Sequence, residues 1–544
     1  MQDLAKKVNK IKEFLQKNQV ILYLLIFFIV FYLILWLNST PTFLDPDSFY
    51  HLKISKLIAQ QGPVLDFPWL QFTVLKDYYI DHHFLYHVLG VPFIALFGDF
   101  IGYKVYTVFL ATGFIMLAYL FFKKDKINYA EIFALILVFA PAFLFRLSLT
   151  KAIAFSLIIL FLGIFCFFRQ KYWLLIIISF LYVWSYGGFL LILVMTLFYI
   201  LAESIYDTFI NISLWQRIKK RFVKLKIKDY LLHFSKNFFS IEHFICFACS
   251  FLGVLAGLII NPYFPKNLKF YWQQIFEIGL INYRGLVNVG GEWYPYPFFD
   301  LLSNCGVTII FVAVSMILFF VFIKKQKPQS IFFFLGTLFF FVLTLKSKRY
   351  VEYFVPFSVF FAAYSFTYSL AKINTAKALQ KLKKENYFIG SFFQFLLIYV
   401  AFVFPFIMIK DAYLVRQQYK RGFSFDRYAG IANYLQINSQ PGDIVMHTSW
   451  DDFPMLFYHN HYNYYIVGLD PTFMYNYAPD LYKLYADITM AKKSDNLYKE
   501  VKENFQARYF IVNDDRIQLA NNLETAGNFS KVYQDNNGSI YKLK

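Results

Sequence analysis

Two acidic clusters with histidine, close together near the N-terminus, hold the residue types best suited to chemistry. The first is Asp45-Pro46-Asp47-Ser48-Phe49-Tyr50-His51, and the second is Asp81-His82-His83. Both adjoin long apolar segments, where ionisable side chains are costly to keep unless they have a function. Four of the nine histidines of the chain lie between positions 51 and 87. These two clusters are therefore the first candidates for a site.

Asp47 and Asp45 are the candidate catalytic carboxylates. In an extended loop, side chains two residues apart point to the same side. Such a pair can hold a hard divalent cation, Mg²⁺ or Mn²⁺, with Asp47 as the metal ligand. Alternatively, one carboxylate acts as a general base, or one of them simply caps the helix that begins near Ser48.

The second cluster extends this interpretation. Asp81 is a further candidate catalytic residue, and His51, His82 and His83 are candidate substrate-binding residues. Histidine can transfer protons, bind a metal ion or donate to phosphate. The alternative is that these histidines are interfacial side chains with a polar tip.

Basic residues at the ends of apolar segments indicate an anion as the ligand. Arg146, Lys151 and Arg349 can neutralise phosphate, and Arg can bind it with two hydrogen bonds. Glu352, at the start of the next segment, belongs to the same candidate set. Snorkelling to the membrane interface is the alternative for the basic side chains.

Aromatic residues supply the rest of the predicted binding surface. Trp293 lies in Gly290-Gly291-Glu292-Trp293-Tyr294-Pro295-Tyr296, a platform of the kind on which sugars stack, or else an interfacial aromatic belt. Trp450 and Asp451 follow a predicted strand, at the position where α/β folds place ligand contacts. A helix cap is the alternative for Asp451 or Asp452.

The elements that position these residues are mostly membrane helices. The chain is 58% hydrophobic and 16% charged, whereas soluble domains carry about 25% charged residues. Apolar windows long enough to cross a bilayer recur, and we count about eleven. The net charge of +19 comes from Lys and Arg in short loops, which is typical of positive-inside retention and argues against nucleic-acid binding.

The predicted architecture is a polytopic α-helical membrane protein with a small C-terminal extracytoplasmic α/β domain. Residues 1–409 form the multi-span domain, with a first outer loop at about 38–87 and an aromatic outer loop at about 261–302. Residues 410–544 form the α/β domain. Lysines at positions 6, 7, 10 and 12 predict a cytoplasmic N-terminus in the plasma (inner) membrane. Lys346-Ser347-Lys348-Arg349 then falls outside, unless one span is miscounted.

This layout resembles the GT-C superfamily of membrane glycosyltransferases, and the catalytic subunit of oligosaccharyltransferases most of all. Asp47-Ser48-Phe49-Tyr50-His51-Leu52-Lys53 is similar to that subunit's first-loop motif, an Asp followed by aromatics and a basic residue. Trp450 and Asp451 match part of its Trp-Trp-Asp-Tyr-Gly motif. The family's second acidic motif corresponds to Arg146-Leu147-Ser148-Leu149-Thr150-Lys151, which has no carboxylate. Asp81-His82-His83-Phe84-Leu85 is similar to the end of the first loop in single-sugar transferases.

The resemblance implies transfer of a sugar from a polyprenyl-phosphate-linked donor to a glycan, lipid or protein acceptor outside the cell, with Asp47 as general base. Two alternatives remain open: en bloc transfer of a preassembled glycan, as in oligosaccharyltransferases, and a transporter or flippase for a lipid-linked substrate. A transporter predicts broken helices in two symmetric halves, and the sequence has no clear sign of them.

Overall fold

The fold is a bundle of apolar helices followed by a small α/β domain. A computed structural model describes residues 18–138, 140–211, 227–281, 283, 285–371 and 387–544. The N-terminal lysines and the basic segment 372–384 lie outside the described residues.

Seventeen α-helices make up the described part of the bundle. They are α1 Gln19–Asn38, α2 Asp47–Gln61, α3 Leu75–Tyr78, α4 Phe84–Phe97, α5 Asp99–Lys124, α6 Ala130–Val138, α7 Pro141–Leu147, α8 Ile153–Phe168, α9 Tyr172–Val183, α10 Leu191–Ile205, α11 Ile227–Phe238, α12 Ile241–Ile259, α13 Lys266–Trp272, α14 Phe298–Val321, α15 Pro328–Lys346, α16 Val351–Leu370 and α17 Tyr387–Lys420.

Six helices among the described residues are long and apolar enough to cross a membrane: α1, α5, α10 with its extension to Ile210, α12, α14 and α15. A seventh span exists if α6 and α7, which meet at a 75° bend, cross together. Three shorter apolar helices, α4, α8 and α9, accompany them. The protein is therefore a multi-pass membrane protein, and the count of about eleven spans stays a prediction.

Helix α16 lies at the centre of the bundle. Nearly all of its side chains are buried, and it packs against α14, α15 and the bent pair. Its first turn carries Glu352, which is 1% exposed. A carboxylate this deeply buried is stable only with a cationic partner. Arg146 is that partner.

The C-terminal domain (421–544) contains a five-stranded mixed sheet. Its helices are α18 Ala429–Asn438, α19 Phe453–His459, α20 Thr472–Tyr477, α21 Pro479–Thr489, α22 Leu497–Phe505 and α23 Ile517–Thr525. Its strands are β3 Ile444–His447, β4 Tyr464–Tyr465, β5 Ala507–Asn513, β6 Phe529–Asp535 and β7 Gly538–Leu543, in the order β4-β3-β5-β7-β6. Strand β3 is parallel to β4 and β5, and β7 is antiparallel to β5 and β6.

The first loop is attached to the C-terminal domain. Strands β1 Thr42–Phe43 and β2 Phe423–Ser424 pair antiparallel. The Trp69 indole donates a 2.7 Å hydrogen bond to the His461 carbonyl, and Lys53 Nζ donates a 3.2 Å bond to the Tyr458 carbonyl. These contacts hold the first acidic cluster against the C-terminal domain.

The predicted α/β fold of this domain is confirmed in outline. Short apolar runs in this part of the sequence predict strands at 443–447, 464–467, 508–512, 531–534 and 539–543 and helices at 452–458 and 516–524. All of them form, but β4 is shorter and β6 longer than predicted. The last bundle helix continues past the predicted boundary at residue 409 to Lys420. Helices α18, α20, α21 and α22 were not predicted.

Candidate active site

A cavity of about 950 Å³ lies between the helical bundle and the C-terminal domain. The bundle contributes the start of α2, the turn before α8, the loop before α14 and the loop before α16. The C-terminal domain contributes the segments that follow β3 and β4. Residues from both of the acidic clusters and from all the basic positions predicted above line this one space: Asp45, Asp47, His51, His82, His83, Arg146, Lys151, Trp293, Arg349, Trp450 and Asp451.

Asp45 and Asp47 face the cavity from the start of a helix, not from an extended loop as predicted. Pro46 has helical backbone angles, and α2 begins at Asp47. An oxygen of the Asp45 carboxylate accepts the backbone N–H of Asp47 at 2.9 Å. This bond closes a turn before the helix and is not a cap, because Pro46 is the N-cap residue. Both carboxylates point to the same partner.

That partner is Lys151. Its Nζ lies 2.9 Å from Asp45 Oδ1 and 2.8 Å from Asp47 Oδ2. Burial disfavours the charged form of Lys151, but the two carboxylates outweigh burial and hold its pKa above the ordinary value. Burial raises the pKa of the Asp47 carboxyl to about 6, although Lys151 offsets part of that rise. Asp47 is consequently poised to exchange a proton near neutral pH.

A second ion-pair network joins Arg146, Arg349, Glu292, Glu352 and Tyr186. Arg146 bonds Glu352 Oε2 at 2.7 Å and also bonds Glu292. Arg349 lies 3.3 Å from Glu292 Oε1 and donates to the Tyr186 hydroxyl at 3.2 Å. The Tyr186 hydroxyl in turn donates to Glu352 Oε1 at 3.1 Å. Burial favours the neutral form of Glu292, but Arg146 and Arg349 outweigh it and keep its pKa well below the usual range.

The two arginines have different positions in this network. The Arg146 side chain is 7% exposed and lies between two carboxylates, so it chiefly compensates their buried charge. The Arg349 side chain is 23% exposed, and its guanidinium lies 4.8 Å from the centre of the Trp293 ring. Arg349 is therefore the better placed of the two to meet an anion.

The histidine cluster is divided by the cavity wall. His51, His82 and His83 line the cavity, and burial lowers the pKa of His82 to about 4, so its ring is neutral at neutral pH. Asp81 is 3% exposed, does not belong to the lining and bonds His87 behind the wall. That Asp81 itself is catalytic stays a prediction, and the structure places its carboxylate behind the histidines that line the cavity. Glu352 is likewise behind the wall, held by Arg146 and Tyr186.

The C-terminal domain closes one side of the cavity. The Trp450 indole donates to the Asn288 carbonyl at 3.1 Å, which links β3 to the aromatic outer loop. Asp451 accepts a hydrogen bond from the Ser449 hydroxyl. Asp452 points into its own domain and accepts bonds from Tyr428 at 2.7 Å and Asn513 at 2.9 Å, so neither carboxylate makes the predicted capping bond.

The arrangement does not fit a divalent cation at Asp47. Among the described residues, no three His, Cys, Asp or Glu side chains are grouped closely enough to hold a metal ion. The two carboxylates that could begin such a site both bond the Lys151 ammonium. The cation between the aspartates is the side chain of the protein itself.

Three residues of the site were missed as site residues from the sequence: Glu292, Tyr186 and His87. Glu292 occurs in the Gly-Gly-Glu-Trp segment noted for its aromatics, and Tyr186 in Ser185-Tyr186-Gly187-Gly188. For Glu292 and Tyr186, the signal in the sequence was a polar side chain next to a pair of glycines in a predicted outer segment. His87 has no such signal.

The fold of this chain is similar to that of solved glycosyltransferase structures. It is similar to the oligosaccharyltransferase of Archaeoglobus fulgidus in the apo form, with TM-score 0.59 and 14% identity over 96% of this chain and 74% of that one. It is also similar to AglB of the same organism, in complex with an inhibitory peptide and a dolichol-phosphate, with TM-score 0.63 and 14% identity over 97% and 75%.

A third similar structure is the arabinofuranosyltransferase AftD from Mycobacteria, with TM-score 0.53 and 13% identity over 96% of this chain and 40% of that one. At these identities the similarity shows the fold alone. No protein-family model and no curated protein matches the sequence.

Proposed function

We propose that the protein transfers a sugar from a polyprenyl-phosphate-linked donor to an acceptor on the outer face of the plasma membrane. The single observation that carries the proposal is the shared cavity, which joins Asp47, a poised carboxylate, to Arg349, a partly exposed cation, beside the Trp293 ring. Those are the three functions that sugar transfer from a phosphate requires: proton removal, phosphate binding and sugar stacking.

In this proposal Asp47 removes the proton from an acceptor hydroxyl or amide as that group attacks the anomeric carbon. The bond between the anomeric carbon and the phosphate oxygen breaks, and polyprenyl phosphate leaves with the electron pair. Arg349 and Lys151 stabilise the charge that develops on the leaving phosphate. No step passes through a metal ion, because Lys151 fills the place between the aspartates.

The proposal also includes the side of the membrane on which the cavity lies. Lys348 and Arg349 line the same cavity as Asp47 and Lys151, so these groups lie at one end of the bundle. With the N-terminus in the cytoplasm, that end is outside, where a lipid-phosphate donor is accessible and nucleotide sugars are not expected.

Mass spectrometry of cell-envelope glycans tests the proposal in cells that lack the gene and carry wild-type or variant copies. Asp77→Asn is the matched control, since Asp77 is an exposed carboxylate in the same loop that does not line the cavity. We expect one glycan to lose a sugar without the protein, to be restored by wild type and Asp77→Asn, and to stay truncated with Asp47→Asn. Unchanged glycans in the cells without the protein would contradict the proposal.

A further inference from the structure

A buried row of hydrogen bonds runs from Asp81 through His87 to His51. Asp81 Oδ2 lies 2.7 Å from His87 Nδ1, and His87 Nε2 lies 2.8 Å from His51 Nδ1. The three residues are 3%, 0% and 4% exposed. The other carboxylate oxygen of Asp81 accepts the backbone N–H of His83 at 3.0 Å. Asp81 is thus fixed in place, and its charge faces His87.

The positions of the ring protons follow from this order. A carboxylate accepts, so His87 Nδ1 donates to Asp81, and in a neutral His87 ring Nε2 must then accept. His51 Nδ1 therefore carries a hydrogen and donates to His87. A neutral His51 ring consequently has a lone pair on Nε2, at the outer end of the row.

That outer end meets the cavity. His51 lines the cavity, and within the described part of the chain no protein group bonds its Nε2. His51 follows Asp47 by four residues on α2, so the two side chains share one helix face. An acceptor bound against this face lies within reach of both.

The surroundings of the row keep the His51 ring neutral, which leaves its Nε2 unprotonated. Burial, the neighbouring His87 and the charged Lys151 all lower its pKa well below the ordinary value. The titratable or charged groups that face the row from the packed elements are Tyr50, Tyr79, Tyr86, His82, His83, Tyr263, Tyr271 and Lys151. Burial also lowers the pKa of His83 and raises that of Tyr50, so both are neutral near pH 7.

We infer that Asp81, His87 and His51 form a relay that takes up the proton released by the acceptor, with His51 as the residue that touches substrate and with His87 and Asp81 as positioning residues. This inference rests on the proposed function. Asp47 removes the proton from the acceptor, the proton then passes to His51 Nε2, and the hydrogen on His51 Nδ1 passes to His87 Nε2. The charge then resides on His87, next to the Asp81 carboxylate.

Charge balance explains why holding the extra proton on His87 is favourable. Before uptake the row carries one buried negative charge at Asp81, which is costly in a poorly solvated site. After uptake the row is an imidazolium–carboxylate pair with no net charge.

Chemical rescue tests the relay in transfer assays on the full-length protein in nanodiscs. His51→Ala leaves space at the cavity wall, and we expect the rate to fall by about 10²-fold. Added imidazole should restore it in proportion to the neutral fraction of imidazole. Asp81→Asn should lower kcat while leaving the donor KM unchanged, and Asp77→Asn, at an exposed carboxylate that does not line the cavity, should match wild type. Full activity of His51→Ala, or no rescue by imidazole, would overturn the relay.

A second measurement is independent of activity. Solid-state NMR of wild-type protein with ¹⁵N-labelled histidine should show a nitrogen–nitrogen coupling between His51 and His87, with His51 Nε2 unprotonated at pH 7. A His51 ring protonated only at Nε2 would contradict the relay even if transfer occurs. Conversely, a wild-type protein that transfers no sugar would overturn the proposed function and leave the NMR result standing.

Discussion

At the scale of single residues, the site is a balance of buried charges. The carboxylates are Asp45, Asp47, Glu292 and Glu352, and the cations are Lys151, Arg146 and Arg349. Each carboxylate bonds at least one of these cations, so no buried negative charge in the network lacks compensation. Changes at these positions should therefore affect either the chemistry or the stability, depending on how far each side chain is buried.

The pH dependence of transfer should depend on Lys151. If Asp47 is the base, activity falls as the pH drops through about 6, because the carboxylate becomes protonated. Lys151 lowers the pKa of Asp47, so Lys151→Met should move this acid limb to higher pH by roughly one unit or more. Initial rates between pH 5 and pH 8 measure the shift. A limb that stays in place or moves to lower pH would remove Asp47 as the titrating base.

Divalent metal should have no role in wild-type turnover. Because the Lys151 ammonium bonds both aspartates, we expect EDTA to leave the transfer rate unchanged and added Mn²⁺ not to raise the melting temperature. Loss of activity in EDTA that Mn²⁺ restores would show that a metal ion displaces Lys151.

Substitution of Arg146 should chiefly lower stability, whereas substitution of Arg349 should chiefly lower activity. Arg146→Met leaves Glu352, which is 1% exposed, without its cation and should cost roughly 3–5 kcal/mol of stability. Arg349→Ala should leave the melting temperature near that of wild type but lower kcat by about 10²-fold. Thermal unfolding in detergent and transfer rates give the two readouts. Equal losses of stability in both variants would be evidence against a phosphate-binding role for Arg349.

At the scale of elements, glycine sets how closely helices approach. A Cβ at Gly253 of α12 would lie 2.4 Å from the backbone oxygen of Ile176 in α9. A backbone atom cannot move aside as a side chain can, so the helices must separate. Gly257, one turn later, makes a similar approach to α9 through Val183 and Phe180.

Gly253→Ala should therefore destabilise the bundle, whereas Gly306→Ala in α14 should be neutral or slightly stabilising. A Cβ at Gly306 meets nothing within 4 Å, and alanine is favoured over glycine in a helix by about 1 kcal/mol. Thermal melting of the two variants compares them directly. A Gly253→Ala variant as stable as wild type would mean that α9 and α12 do not approach so closely.

At the scale of the whole molecule, local patterns and long-range contacts differ in how far the sequence predicts them. The membrane helices and the strands around Ile444 and Phe510 could be predicted, because periodicity and length are local signals. The link from Arg146 to Glu292 and Glu352 could not, since it joins positions about 150 and 200 residues apart. Asp47 and Lys151 were each candidates from residue type, but the ion pair that joins them across about 100 residues of chain could not be predicted.

The orientation of the molecule can be measured with single cysteines in a variant that lacks the four native ones. A membrane-impermeant maleimide should label Gln518→Cys, in the C-terminal domain, in intact cells. Lys124→Cys, at the other end of α5 from Asp99, should be labelled only after permeabilisation. The reverse pattern would place Asp47 on the cytoplasmic side and would contradict the proposed function.

Turnover of a lipid-linked sugar by purified protein tests the central claim most directly. The protein in nanodiscs is supplied with polyprenyl-phosphate sugars and an extract of envelope acceptors, and released polyprenyl phosphate and glycosylated acceptor are both quantified. We predict that the two products appear in equal amounts with wild type and Asp77→Asn, and that Asp47→Asn forms neither above background. Equal turnover by wild type and Asp47→Asn would contradict the account.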